Sequence, residues 1–239
     1  MEILYSRAMR VEGWHVIDAD TGVLWQEYTF RGKATATTLV FRGTDGLVVV
    51  SPGVGVSARD YDALREFGEV RALVANNPFH HLGQAPWRAR FPDALSYAPS
   101  GALASLDKKA RGFTYQPLSA LGLPAHARFD EPAGFRTGDA FFRIRTGRGA
   151  VWYSSDLLTN IQGLPAPPLR WLFSWTDSAP GFRLFKPGVW FLIRDRKAVR
   201  AWMLEHLAEE PPVIVIPAHG PAFESPDVAA LATAQIERL

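Results

Sequence analysis

The hydrophobic positions of this chain fall into short runs separated by turn-forming residues. In the first fifty residues these runs have the length and composition of β-strands. This pattern predicts an antiparallel meander. The predicted strands are Trp14 to Ile17, Leu24 to Phe30, Thr35 to Phe41 and Leu47 to Ser51, and the turns are Asp20-Thr21-Gly22, Arg31-Gly32-Lys33 and Gly43-Thr44-Asp45-Gly46.

The pattern then changes to alternating helix and strand. Ser57 and Asp60 have the spacing of a capping box, and apolar residues recur at near-helical spacing from Tyr61 to Phe67. An apolar strand follows from Val70 to Ala75. Together with the strand that ends at Ser51, these elements predict a β-α-β unit.

The remaining elements repeat this order of strands followed by helices. The predicted elements are a short helix from His81 to Arg90, strands at Ala94 to Ala98, Ala140 to Ile144, Ala150 to Ser155 and Val213 to Ile216, a helix from Asp195 to Leu207, and a last helix capped by Ser225. Such an order favours an α/β (α+β) class with two packed sheets and helices on both outer faces. No linker divides the chain, so we expect one domain over residues 1–239.

Composition narrows the classes of function. The 239 residues are 47% hydrophobic and 21% charged, which is typical of a globular protein. The net charge is +2 without a cluster of Lys and Arg, so no nucleic-acid partner is expected. Cysteine is absent, which excludes disulfides and thiolate chemistry, and any metal site must use His, Asp or Glu.

The N-terminal segment gives an expectation about location. Met1-Glu2-Ile3-Leu4-Tyr5-Ser6-Arg7 lacks a basic region followed by an apolar core. No apolar run approaches the roughly 18 residues that a membrane span needs. We therefore expect a cytoplasmic protein with no membrane span.

Three predicted strands run directly into residues that can bind a metal. His80 and His81 follow the strand that ends at Ala75, Asp156 follows the second hairpin strand, and His219 follows the strand that ends at Ile216. Imidazole nitrogens and a carboxylate oxygen suit zinc or iron. These four residues are therefore the candidate metal ligands.

The order of elements, with ligands at strand ends, resembles the metallo-β-lactamase superfamily over nearly the whole chain. The resemblance implies a four-layer αββα sandwich. The superfamily motif is His-x-His-x-Asp-His followed by Gly, and His81 and Gly83 match its last histidine and its glycine. Asn76, Pro78 and His80 stand where the motif has its first His, its second His and its Asp.

Two further positions extend the resemblance. Asp156 matches the bridging aspartate, and His219, followed by Gly220, matches the final histidine, whereas the mid-chain histidine has no match. The resemblance implies that one of two metal positions is lost and that His80, His81, Asp156 and His219 keep the other. Because His80 replaces a carboxylate, the site is less negative, which favours zinc over magnesium or calcium. The chain also looks like degenerate members with an Asn-x-x-His-His pattern, whose activity is not established.

Each candidate also has a structural alternative. Asp156 has the residue type of a helix cap, His219 could be a turn residue, and the His-His pair could be a hydrogen-bonded loop. Asn76 and Asn77 are predicted to close a turn before Pro78, and the alternative is that they orient a water or a substrate. The isolated His15, His126 and His206 are predicted to be structural.

A segment at about residues 164–193 is dense in proline and aromatic residues. In the superfamily such insertions commonly overlie the metal. It could form a hydrophobic lid or a subunit contact, or a satellite core under a long loop. Its aromatic residues are Trp171, Phe173, Trp175, Phe182, Phe185, Trp190 and Phe191.

The function that we predict is a mononuclear metal-dependent hydrolase acting on an ester, lactone or amide through metal-activated water. The catalytic candidates are His80, His81 and Asp156, and the expected cofactor is one divalent metal: zinc first, iron second. Four protein ligands would close the site, whereas three would leave room for water, and the other histidine of the pair could then be a general base.

Two other functions stay open. A catalytically inactive binding module would retain the fold without metal. Iron-based oxygen or peroxide chemistry is disfavoured because the diiron members of the superfamily keep ligands that this chain lacks. The expected partner is a small-molecule substrate, and a homo-oligomer could form through the aromatic insertion.

Overall fold

A computed structural model describes residues 9–30, 34–110 and 112–239. The predictions for Met1 to Arg7 and for the turn Arg31-Gly32-Lys33 lie outside these residues. The strands are β1 (Met9–Val11), β2 (Trp14–Asp18), β3 (Val23–Phe30), β4 (Ala34–Arg42), β5 (Leu47–Val50), β6 (Val70–Val74), β7 (Leu95–Ala98), β8 (Tyr115–Pro117), β9 (Ala127–Asp130), β10 (Phe141–Thr146), β11 (Gly149–Tyr153), β12 (Leu158–Ile161), β13 (Gly181–Leu184), β14 (Pro212–Ile216) and β15 (Phe223–Glu224).

The helices connect the later strands and cover the sheets. They are α1 (Ala58–Ala63), α2 (Gln84–Arg90), α3 (Leu103–Lys109), α4 (Leu169–Thr176), α5 (Lys186–Leu192), α6 (Arg196–Glu209) and α7 (Val228–Ile236). Among the described residues, no helix combines the length and the apolar character needed to cross a membrane.

The strands form two large sheets and one small ribbon. The first sheet contains β1 to β8 in sequence order, antiparallel from β1 to β5 and parallel from β5 to β8. The second has the order β15-β14-β11-β10-β9, in which β11 and β14 are parallel. Strands β12 and β13 pair separately.

Central strands are apolar on both faces because each face is covered. Along β11, Val151 and Tyr153 pack between the two sheets, whereas Ala150 and Trp152 pack under the helices on the outside. In β5, Val48 and Val50 likewise face the inner core, and the outer core of α1 and α2 takes the alternate residues. The fold is therefore the predicted four-layer αββα sandwich.

The sequence predictions hold for most elements. The opening meander, the β5-α1-β6 unit with its capping box at Ser57, the β10-β11 hairpin and the helix predicted from Asp195 to Leu207 are all confirmed. In that helix, α6, Asp195 is the N-cap. The predicted cap of the last helix is wrong. Helix α7 begins at Val228 after Asp227, and the hydroxyl of Ser225 accepts a hydrogen bond from the Asp227 backbone instead.

The aromatic insertion is ordered into β13, α4 and α5. Its inward residues, including Phe182 and Leu184, join the core under the second sheet. Its outward face leaves Trp171 and Trp175 of α4 69% and 79% exposed. The segment thus combines a satellite core with an exposed aromatic surface, and its role as a subunit contact stays a prediction.

Candidate metal centre

The carboxyl ends of parallel strands from both sheets meet at one edge of the sandwich. Strand β6 leads into His80, β11 into Asp156 and β14 into His219. Such edges are where open α/β sheets bind ligands. Three of the four predicted ligands come together here, and each comes from a different strand end.

His80, Asp156 and His219 form a compact cluster. Nε2 of His80 and Nε2 of His219 each lie 3.1 Å from Oδ1 of Asp156. One ligand atom from each residue lies within 4.8 Å of the other two. His80 and Asp156 are buried, and His219 is partly exposed.

The outer nitrogen of each imidazole has its own hydrogen-bond partner. Nδ1 of His219 donates to the backbone carbonyl of Thr35 at 2.7 Å, and Nδ1 of His80 lies 2.7 Å from Oγ of Ser51. The hydroxyl of Tyr28 lies 3.2 Å from the same Ser51 oxygen. Such partners fix the orientation of metal-binding histidines and leave Nε2 to face the metal.

Asp156 is held from behind by a buried polar network. Its Oδ2 accepts a hydrogen bond from Nδ2 of Asn77 at 2.7 Å, and Nδ2 of Asn77 also donates to Oδ1 of Asp139 at 3.1 Å. Ser155 donates to that same oxygen and accepts from Nδ2 of Asn76. All five side chains are at most 6% exposed, so the network excludes bulk water from behind the site.

The two carboxyl groups of the network titrate in opposite directions. Burial acts to raise the pKa of Asp156, but the charge of His80 and the hydrogen bonds from His219 and His80 outweigh it and hold the pKa well below its usual range. Burial, together with the negative charge of Asp156, raises the pKa of Asp139 well above its usual range. The site therefore favours one ionised carboxylate beside the imidazoles and a neutral carboxyl behind it.

The pKa of His219 is raised. Burial acts to lower it, but the hydrogen bond to Asp156, the charge of that carboxylate and the hydrogen bond to Thr35 act more strongly together. Because Nδ1 already donates to a carbonyl, Nε2 carries a second proton when it bonds to Asp156. A metal at Nε2 would replace that proton.

Hydrogen bonds from the first sheet and from the small β12-β13 ribbon fix the loop that carries His219. The carbonyls of Ala218 and Gly220 accept hydrogen bonds from the backbone and the hydroxyl of Thr37, and the His219 carbonyl accepts one from Asn160. Gly220 has a φ of +94°, and a Cβ there would lie 2.1 Å from the Asn160 carbonyl oxygen. Only glycine fits this position.

The neighbouring His81 lies outside this three-residue cluster. It is partly buried, and its Nδ1 donates to the carbonyl of Pro78 at 3.0 Å. The turn that precedes α2 therefore directs His80 and not His81 toward Asp156. The motif position that His81 occupies in the resemblance remains a prediction.

The structure decides between the functional and structural alternatives for Asp156, Asn76 and Asn77. No helix follows Asp156, since β12 begins at Leu158, so a helix cap is not its role. Asn76 and Asn77 do more than close a turn, because their amides bond to Ser155 and Asp156.

The isolated histidines outside the cluster lie elsewhere in the fold. The ring of His15 stacks on Trp25, and the ring of His206 stacks on Trp202. Neither belongs to the cluster, and neither does His126. The stacking contacts suit the structural roles predicted for His15 and His206, and the role of His126 stays a prediction.

Several residues of the site carried no sequence signal. Ser51 and Ser155 are both fully buried just beyond strand ends, and both have φ values near those of a left-handed helix, +53° and +51°. A serine at positive φ is uncommon and often marks a functional site. Asp139 and Tyr28 could not be found because their proximity to the site depends on tertiary folding.

A cavity of about 390 Å³ opens onto the cluster. His80, Asp156, His219 and Tyr28 line it together with apolar side chains. These apolar residues are Phe30, Ala36, Phe79, Leu82, Phe185, Phe191 and Leu192. The aromatic insertion supplies the last three of them.

The donor set fits a borderline divalent metal. Two imidazoles and one carboxylate match the three-ligand pattern of catalytic zinc sites, and the 2-His-1-carboxylate set also suits ferrous iron. The oriented Nδ1 atoms and the bonded Oδ2 of Asp156 supply the supporting contacts that such sites need. Three ligands leave a coordination position for water, whereas four would close the site.

Comparison with known proteins identifies the fold. No protein-family model and no curated protein sequence matches the chain. Among solved structures, DIM-1 metallo-β-lactamase exposed to ceftazidime is 13% identical, with a TM-score of 0.58 over 96% of this chain and 99% of that one. A metallo-β-lactamase from Erythrobacter litoralis is 13% identical, with a TM-score of 0.59 over 97% and 99%.

A third structure is a fragment of the putative diflavin flavoprotein A 5 from Nostoc sp. PCC 7120. It is 15% identical, with a TM-score of 0.62 over 94% of this chain and 93% of that one. Identities this low speak for the fold alone. The chain therefore has the metallo-β-lactamase fold, as the order of its predicted elements indicated.

Proposed function

We propose that this protein is a hydrolase of esters, lactones or amides that uses one divalent metal. Zinc is the first candidate for this metal and iron is the second. The observation that carries the proposal is the convergence of His80, Asp156 and His219 at the base of an apolar cavity. A metal bound there would polarise a carbonyl and lower the pKa of water toward neutrality.

The residues of the chain would divide the work as follows. His80, Asp156 and His219 would hold the metal, and Asn77, Ser51 and the Thr35 carbonyl would keep those ligands oriented. The apolar side chains of the cavity would exclude bulk water from the carbonyl that is attacked.

Tyr28 would donate a hydrogen bond to the oxygen that gains charge. Burial, with the negative charge of Asp156 adding to it and a hydrogen bond to Ser51 opposing it, raises the pKa of Tyr28 to about 12. The hydroxyl therefore keeps its proton at neutral pH. A protonated donor lining the cavity can stabilise an oxyanion.

Adjacent histidines supply a matched pair of variants that tests the ligand set. We expect about one zinc per chain in the natural protein and in His81→Ala, and no zinc in His80→Ala, His219→Ala or Asp156→Ala. Elemental analysis after chelation and reloading measures this. Loss of zinc in His81→Ala, whatever the other variants show, would contradict the three-ligand site.

Turnover tests the hydrolase itself. The zinc-loaded protein should hydrolyse members of a panel of aryl esters and lactones, and His219→Ala should lose that activity while it keeps its circular dichroism spectrum. Activity that persists in purified His219→Ala would refute the proposal.

The alternative is a binding module without catalysis. The exposed tryptophans of α4 favour it, because large exposed apolar patches often mark interaction sites. A folded protein that takes up no zinc or iron under any loading would favour this alternative.

A further inference from the structure

The cavity beside the ligand cluster has a lining that selects by shape and hydrophobicity. Its volume of about 390 Å³ is in the range of small-molecule sites. The lining residues that the structure describes include no lysine or arginine. Apart from the two histidines of the cluster, these lining residues offer no cationic partner to a substrate carboxylate or phosphate.

The cavity leads from solvent to the cluster between apolar side chains. At its deep end, His80 and Asp156 are each 6% exposed. At its rim, Phe79 is 52%, Leu82 39% and Phe191 73% exposed. These rim residues come from the His80 loop and from α5. Large apolar side chains exposed around a buried polar site are typical of a ligand-binding groove.

We propose, as an extension of the hydrolase function, that the substrate carries an apolar chain, such as the acyl chain of a medium-length ester. The chain would lie against Phe79, Leu82 and Phe191, and the carbonyl would lie at the ligand cluster. Each methylene that the cavity removes from water tightens binding about fourfold. The exposed rim then loses its contact with water whenever a substrate is bound.

Uncharged methyl ketones test chain binding separately from turnover, because they present a carbonyl that cannot be hydrolysed. Isothermal titration of the 239-residue chain as purified would compare methyl butyl ketone with methyl octyl ketone. We expect the longer ketone to bind up to about 250-fold more tightly, because each of the four added methylenes contributes about fourfold when it is buried.

Two exposed aromatic residues of the insertion form a matched pair of variants. Phe191 lines the cavity, whereas Trp175 is 79% exposed and lies outside its lining. Phe191→Ala should weaken binding of methyl octyl ketone about tenfold or more, and Trp175→Ala should leave it unchanged. Both variants should melt near the temperature of the natural protein, since both side chains are largely exposed.

The possible results separate the two proposals. Equal affinity for both ketones, or equal effects of the two variants, would overturn the chain-binding inference even if esters are hydrolysed. Chain-length-dependent ketone binding that Phe191→Ala weakens would support it even if no ester is hydrolysed, and in that case the hydrolase proposal alone fails.

Discussion

The side-chain amide of Asn77 donates a 2.7 Å hydrogen bond to Oδ2 of Asp156 and thereby leaves Oδ1 to His80 and His219. One oxygen of the carboxylate is thus committed to the fold and the other to the candidate metal. Asn77 is fully buried and also bonds to Asp139, so its own rotamer is fixed. The geometry of the candidate ligand set depends on this pair.

Asn77→Ala should therefore weaken zinc binding by about 10- to 100-fold, the usual effect of removing a contact that supports a metal ligand. Competition with a chromophoric chelator measures the affinity. Gln84→Ala is the matched control, because Gln84 is also a fully buried amide but bonds to Ser96 away from the site. Equal zinc affinities in the two variants would contradict the supporting role of Asn77.

Zinc affinity should fall as pH falls, because zinc must displace the proton that the raised pKa of His219 retains. Without metal, protonation of His219 stabilises the folded state. This stabilisation is complete below the ordinary histidine pKa of 6.5 and is lost as pH rises through the raised pKa. In the zinc-bound protein the stabilisation has the opposite pH dependence, because zinc binds less tightly at low pH. Below the raised pKa, the apparent dissociation constant for zinc should rise about tenfold for each unit by which the pH falls.

Calorimetry in buffers of different ionisation enthalpy measures the protons released when zinc binds. We expect a release near one proton at pH values below the raised pKa of His219. Zinc binding that releases no proton under those conditions would show that zinc does not displace a proton from His219.

The sequence predicts the positions of the ligands better than their surroundings. His80, Asp156 and His219 could be found because each follows an apolar strand, and strand ends are visible in a single sequence. The choice between His80 and His81 could not be made, because the conformation of the turn before α2 decides which imidazole faces Asp156. Asp139 lies 62 residues from Asn77 in the chain, so only the folded structure brings the two together.

Tyr28→Phe should lower kcat by about a hundredfold or more if Tyr28 donates to the developing oxyanion, as loss of such a donor does in other hydrolases. Zinc content should not change, since Tyr28 is not in the ligand cluster. Steady-state kinetics with the best ester or lactone measures the effect. Tyr115→Phe is the matched control, because Tyr115 of strand β8 is a buried tyrosine outside the cavity lining, and equal kcat values would exclude the role of Tyr28.

Gly220→Ala should destabilise the fold and weaken metal binding together. Gly220 has a φ of +94°, and an added Cβ would lie 2.1 Å from the carbonyl oxygen of Asn160. The backbone N–H of Asn160 donates a hydrogen bond to the carbonyl of His219. Gly55 is the control for backbone strain without collision, because its φ is +70° but no atom of the described residues lies within 4 Å of a Cβ built there.

Gly55→Ala should therefore lower the free energy of unfolding by only about 1–2 kcal/mol, the usual cost of a left-handed residue, and leave zinc affinity unchanged. Gly220→Ala should cost more than this and also lower zinc affinity, because the collision moves the loop that carries His219. Chemical denaturation and chelator competition measure the two effects. Equal losses of stability in both variants, with zinc affinity retained, would show that the loop can shift without moving His219 away from Asp156.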